Sequence, residues 1–303
     1  MRIAIAQRNY TIGAFGANLE AMTVAVERAR RESADLVIFT ELATTGYPPG
    51  DVLERRDFVD RNLAQLDLIA HLSDGDLGIL VGFVDRNESG TGKGLHNAVA
   101  LCHRGKVVDR YRKCLLPTYD VFDEARYFES GADARPLRIK GVRIGVSVCE
   151  DVWADPDLDG HSLYHRDPVL ELIHRGSQIL INLSASPFEL GKAGERRELV
   201  RRYAENSGRF FVYANQVGAN DDLVFDGHSM VFDGKGRVVA RAGDFDEDLL
   251  VYDVPEKALE DAKGLEGPIG DIREVAGSRE DEALAALELG LRDYVAKCGF
   301  EKV

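Results

Sequence analysis

The chain is short of cysteine: Cys102, Cys114, Cys149 and Cys298 are the only four in 303 residues. That is too few, and too scattered, for a disulfide framework. No two of them form a CxxC pair, so a structural zinc site has no ligand signature. His161 and His165 stand four apart, but Pro156 and Gly160 just upstream point to a loop, and no acid-and-histidine helix motif accompanies them. The chain also lacks any apolar run near the ~20 residues of a membrane span. Its first residues, MRIAIAQRNY, alternate like a strand and lack the long apolar segment of a signal peptide, so a cytoplasmic protein is expected. Positive charge is scarce: 38 Lys and Arg against 52 Asp and Glu give −14. An acidic surface repels phosphate backbones and anionic lipid, so neither nucleic acid nor membrane is an expected partner.

What is present, 303 residues at 45% hydrophobic content, is enough for one large soluble domain or two ordinary ones. Strands are expected at 2–7, 35–40, 77–84, 95–103, 106–113, 142–148, 178–183, 210–215, 228–232, 237–241 and 249–254. Helices are expected near 18–31, from Asp51 to His71, and around 167–175, 194–207 and 282–298. Arg104-Gly105 reads as a tight turn. The GTGKG run ending at Gly94 is not a phosphate loop, because Gly94 follows Lys93 where Ser or Thr is required. Strands alternate with helices early and bunch as hairpins later, which predicts an α/β mixed sheet or two packed sheets with helices outside. From Pro255 the texture becomes glycine-rich and charged, like a connector. The last helix carries Leu284, Leu287, Leu291, Tyr294, Val295 and Cys298 along one stripe, an apolar face that calls for a partner.

Three segments share one design, an apolar strand ending in a reactive or charged residue: LVIFT before Glu41, VVDRYR before Lys113 and RIGVSV before Cys149. If the three strands are parallel neighbours, their ends bring a carboxylate, an ammonium and a thiol into one pocket. That set suits nucleophilic acyl transfer. Glu41 takes the thiol proton and later activates water, and Cys149 attacks a carbonyl or nitrile carbon. Lys113 faces the developing oxyanion, helped by the backbone N–H after the cysteine. A lysine beside the thiol is also expected to favour the thiolate.

The segments FTELATTGYPPGD, YRKCLLPTYDVFDEARYF and VSVCEDVW closely resemble the Glu-Lys-Cys triad segments of the nitrilase (carbon–nitrogen hydrolase) superfamily, over about Met1–Val254. More narrowly, Gly46–Asp51, LPTYDVFDEARYF and NLSASPFELGK resemble the amidotransferase domains of glutamine-dependent NAD synthetases. GLRDYVAKCGFEKV resembles the lead-in to the ATP-dependent synthetase domain of that family. The resemblance implies a four-layer αββα sandwich that hydrolyses glutamine to glutamate and ammonia. It divides the chain into a glutaminase domain at 1–255, a connector at 256–281 and, at 282–303, a helix leading toward a synthetase domain. It also implies a homo-oligomer built from dimers.

Carried over position by position, Glu41 matches the general base, Lys113 the oxyanion-stabilising lysine and Cys149 the nucleophile. Glu124 matches the second glutamate that positions the lysine, with Asp123 as the neighbour it could be confused with. Tyr119, Glu150, Trp153, Ser186 and Lys192 match positions lining the glutamine pocket. Ser186 and Lys192 suit the substrate α-carboxylate, and Glu150 suits its α-ammonium. The serine-glycine-glycine ATP loop of a synthetase domain is not in the sequence. No cofactor is therefore expected here, ATP and Mg2+ being tied to that further domain. The expectation is a truncated amidotransferase domain or a free-standing amidase acting on another ω-amide, a carbamoyl compound or a nitrile. A scaffolding fragment that binds through the last helix is a third possibility.

Overall fold

Strands β1 (Arg2–Gln7), β2 (Leu36–Ile38), β3 (Gly78–Arg86), β4 (Leu95–His103) and β5 (Lys106–Arg112) alternate at first with α1 (Phe15–Arg31) and α2 (Arg56–His71). Then follow α3 (Glu124–Tyr127), β6 (Leu137–Ile139), β7 (Val142–Val148), α4 (Pro168–His174), β8 (Ile179–Ser184), α5 (Lys192–Ser207) and β9 (Phe210–Asn215). The chain continues through β10 (Val217–Asn220), β11 (Leu223–Asp226), β12 (Met230–Phe232), β13 (Val238–Arg241), β14 (Asp248–Asp253), α6 (Glu256–Leu259) and α7 (Arg279–Lys297). The computed structural model describes residues 1–154, 163–260 and 263–301. Among them no helix is long and apolar enough to cross a membrane.

Two six-stranded sheets dominate, with orders β14-β1-β2-β3-β4-β5 and β13-β12-β9-β8-β7-β6. Each has three parallel strands at its centre, β1-β2-β3 and β7-β8-β9, flanked by antiparallel ones. The alternation in β1 and β2 shows how the layers are made. Ile3, Ile5, Leu36 and Ile38 join the core shared with β7 and β8. Ala4, Ala6, Val37 and Phe39 point the other way, onto Met22, Val26, Leu66 and Ile69 of α1 and α2. A period of two thus feeds both an inter-sheet core and a helix-facing core. Each fully buried branched or aromatic side chain contributes about 1.5–3 kcal/mol relative to exposure. On the second sheet α4 and α5 bring Val169, Leu172, Leu199 and Val200 into the inter-sheet cluster. This is the expected αββα sandwich.

Several sequence expectations need correction. The strands that lead to Glu41, Lys113 and Cys149 are not parallel neighbours. The first two lie in one sheet, separated by β3 and β4, and the third lies in the other sheet. Their ends converge because the sheets face each other. Asp51 does not cap α2; it sits in a 3-10 turn, Gly50–Glu54, and α2 starts after Arg55. Strand β6 and the β10–β11 hairpin, of three or four residues per strand, are not among the expected strands. The glycine-rich connector is stitched down, with Gly264 N–H to Gly208 O at 2.8 Å and Gly270 N–H to Val239 O at 2.8 Å.

The last helix departs most from expectation. Its leucine stripe faces outward: Leu284, Leu287, Leu291 and Tyr294 are all more than half exposed. The helix docks on β10 and β11 through Ala286, Leu289 and Asp293 instead. Polar bonds decide this. Asp293 Oδ2 accepts the Asn9 amide and the Ala219 N–H, each at 2.7 Å, and Lys297 Nζ reaches Ala219 O at 2.7 Å. Hydrophobic periodicity carries no record of such bonds.

Candidate active site

Glu41 follows β2 in a tight turn that needs Gly82 behind it. A Cβ at Gly82 would stand 2.3 Å from Leu42 N and 2.4 Å from Thr40 O, so only glycine lets β3 pass so close. Lys113 comes directly after β5, and its N–H donates to Asn97 O at 2.8 Å. Cys149 opens a 3-10 turn at the end of β7 with φ of 39°, a left-handed conformation uncommon outside glycine. The strand therefore turns away sharply and leaves the thiol at its tip, the same logic as a nucleophile elbow.

The three strand ends meet. Lys113 Nζ donates to Glu41 Oε1 and Glu124 Oε1, each at 2.8 Å, with the lysine and Glu41 wholly buried. Glu41 Oε2 accepts the Ala185 N–H at 2.9 Å. Tyr47 O–H donates to Glu124 Oε1 at 2.9 Å. The ambiguity between Glu124 and Asp123 is gone: Glu124 faces Lys113 and Asp123 is exposed. Glu41, Lys113, Glu150 and Glu124 all act electrostatically on the Cys149 thiol.

Burial and the negative Glu41 hold that thiol well above its ordinary range, and Lys113 pulls the other way without prevailing. These influences favour the protonated form of the thiol. Lys113 does favour the thiolate, as expected, but burial and the neighbouring acids outweigh it. Glu41 is the acid with the largest electrostatic influence on that thiol. Glu124 is pushed up to about 7 by burial, with Lys113 opposing and Glu41 adding to the rise.

Asp151, which the sequence left without a role, staples the site together. Its Oδ1 accepts the N–H groups of Cys114 at 3.0 Å and Leu115 at 2.9 Å, just after Lys113. Its Oδ2 accepts the Val148 N–H at 2.9 Å and the Tyr111 O–H at 2.8 Å, tying in the cysteine turn. One buried carboxylate thereby joins segments from two sheets, and burial pushes it up to about 6 against these donors.

The pocket positions are gathered unevenly. Glu150 is buried, and its Oε1 accepts the O–H of Tyr119 at 2.7 Å and of Tyr164 at 2.6 Å. Tyr119 also lies in the field of Cys149 and Lys113. Ser186 follows Ala185, whose N–H donates to Glu41, and its own N–H donates to Asn215 Oδ1 at 2.9 Å. Trp153 is half-buried against the inter-sheet core. Lys192 stands in the first turn of α5 with its ammonium 3.8 Å from Glu189, and it makes no polar contact with the catalytic cluster among the described residues. Sequence reading missed Tyr164, Tyr47, Asn97 and Asp151; only Asp151, adjacent to Glu150, offered a local hint. Of the two histidines weighed as a metal pair, His161 lies outside the described residues.

Comparison with known proteins adds an independent line. The model of the Carbon-nitrogen hydrolase family matches residues 2–263. The glutamine-dependent NAD(+) synthetase of Synechocystis is 40% identical over 99% of the chain, which covers 53% of that protein. The chain spans about half the length of the curated relatives it matches. Among solved structures, the glutamine-dependent NAD+ synthetase of Acinetobacter baumannii superposes with a TM-score of 0.84 at 31% identity, over 100% of this chain and 53% of that one. An amidase from Nesterenkonia sp., in a structure showing Michael addition of acrylamide at its active-site cysteine, gives a TM-score of 0.69 at 26% identity, covering 86% of this chain and 96% of that one.

Proposed function

The chain belongs to the carbon–nitrogen hydrolase family, and from that premise we propose that it hydrolyses the side-chain amide of glutamine, as the ammonia-supplying part of a glutamine-dependent NAD synthetase. The observation that carries the reading is the buried Lys113 ammonium held by Glu41 and Glu124 within the field of the Cys149 thiol.

In the proposed reaction Glu41 accepts the thiol proton as sulfur attacks the amide carbon. The carbonyl oxygen takes the electron pair and becomes an oxyanion beside the Lys113 ammonium and the Glu150 N–H. Glu41 then returns the proton to the nitrogen, ammonia leaves, and a thioester to Cys149 remains. Water attacks the thioester as Glu41 removes its proton, and glutamate departs with the thiol restored. Glu124 and Tyr47 keep the lysine aimed. Glu150, flanked by Tyr119 and Tyr164, supplies negative charge for the substrate α-ammonium, while Ser186 and Lys192 are assigned to its α-carboxylate. These steps need only groups of this chain and water, and ATP with Mg2+ is assigned to a synthetase domain. The relatives' greater length supports such a partner domain, and the exposed Leu284–Tyr294 stripe of α7 gives it a surface to rest on.

The test is incubation with glutamine and measurement of glutamate and ammonia. Turnover should vanish in Cys149→Ala, and full rate in that variant would sink the mechanism. Marked preference for a nitrile, a carbamoyl compound or another ω-amide over glutamine would move the substrate assignment elsewhere in the family.

A further inference from the structure

Asn97 has no part in the proposed steps, yet it is fully buried among the groups that do. It lies on β4 opposite Val84. Its Nδ2 donates to Glu41 Oε1 at 2.7 Å and, more weakly, to Glu124 Oε2 at 3.4 Å. Its Oδ1 has no hydrogen-bond partner among the described residues. A buried amide kept for structure is ordinarily satisfied at both ends. Here only the NH2 end is engaged, and both its hydrogens go to the two acids. The strand does not need this side chain, because the backbone carbonyl of Asn97 carries the bond to the Lys113 N–H.

The donors are shared unequally. Glu41 receives Asn97 and Lys113 on Oε1 and the Ala185 N–H on Oε2. Glu124 receives Lys113 and Tyr47 on Oε1, and only the long Asn97 contact on Oε2. We propose that Asn97 is a positioning residue that apportions the donors of this pair, giving Glu41, where the thiol proton must go, the closer hydrogen bond and Glu124 the weaker one. A carboxamide suits the task because it offers two donors and no charge of its own. The upward shift of Glu124 fits this division. The other groups facing the pair are Lys113, Cys149 and Tyr47, with Glu150 beyond the thiol. The inference rests on Glu41 acting as the base in the proposed function.

The experiment is the pH dependence of Cys149 alkylation by iodoacetamide, read peptide by peptide by mass spectrometry in a Cys298→Ser background, beside kcat/KM for glutamine. In Asn97→Leu the acidic limb of both profiles should move up by roughly one pH unit, the size of one hydrogen bond to a charged group. In Asn97→Asp, which adds a like charge, it should move further. Tyr47→Phe removes a donor from Glu124 instead, so its limb should stay or move down. That arm survives if an Asn97 variant fails to fold. An unmoved limb in a folded Asn97 variant, or an upward move in Tyr47→Phe, overturns the proposal. Shifted alkylation without glutamine turnover would overturn only the substrate reading, and turnover with an unmoved limb only this inference.

Discussion

Lys297 Nζ, in the last turn of α7, lies 3.0 Å from Oδ1 of Asn220 on β10. Asn220 in turn donates through Nδ2 to Tyr47 O at 3.0 Å, and the Tyr47 hydroxyl reaches Glu124. The final helix is thus joined by hydrogen bonds to the loop that carries Tyr47, a partner of Glu124. Lys297→Met removes the ammonium 3.3 Å from Asp293 and leaves Ala219 O and Asn220 Oδ1 without this donor, which should cost about 2–4 kcal/mol. Urea unfolding measures the loss, and hydrogen exchange should show α7 opening ahead of the sheets. Equal protection of α7 in variant and wild type would contradict the assignment.

Asp151→Asn keeps the shape of the staple but turns an NH2 group toward backbone or phenol donors. At least one donor is left unpaired, for a cost of about 2–4 kcal/mol. The denaturation midpoint should fall with an unchanged slope. Alkylation of Cys149 should also change, because the Val148 and Leu115 segments lose their common anchor.

Glu124 makes stability depend on pH. Its folded value, about 7, lies above its ordinary 4.5, so the folded chain holds an extra proton between those limits. Stability contributed by that proton is complete at lower pH and is lost as pH rises through about 7. Glu124→Gln does not titrate. The melting temperature of wild type relative to this variant should therefore fall from about pH 5 to about pH 8. A flat difference would show that the proton rests elsewhere.

Tyr119→Phe removes one of the two phenol donors on Glu150 and leaves Tyr164 in place. If Glu150 holds the substrate ammonium, KM for glutamine should rise roughly tenfold with kcat little changed, a loss of about 1.4 kcal/mol of uniform binding. Steady-state kinetics decides it. A fall in kcat at constant KM would place Tyr119 in the chemical step instead.

The sequence by itself determined what is local. The period of two in IAIA and LVIF sets which side chains enter each layer, and the abrupt ends of three strands mark Glu41, Lys113 and Cys149. Their neighbours also carry the family likeness, so the αββα sandwich and the acid, amine and thiol were legible before any coordinates. Tertiary structure decided what depends on contacts between distant segments. Asn97 looks like any polar residue in a strand until Glu41, 56 positions away, comes within 2.7 Å. Asp151 looks like a surface acid until the N–H groups of Cys114 and Leu115 close on it. The leucine stripe of α7 seemed bound for burial, yet Asp293 and Lys297 turned the helix over. Apolar burial is roughly additive and prints a period on the chain. A buried hydrogen bond is directional, needs both partners, and leaves no trace in either segment read alone.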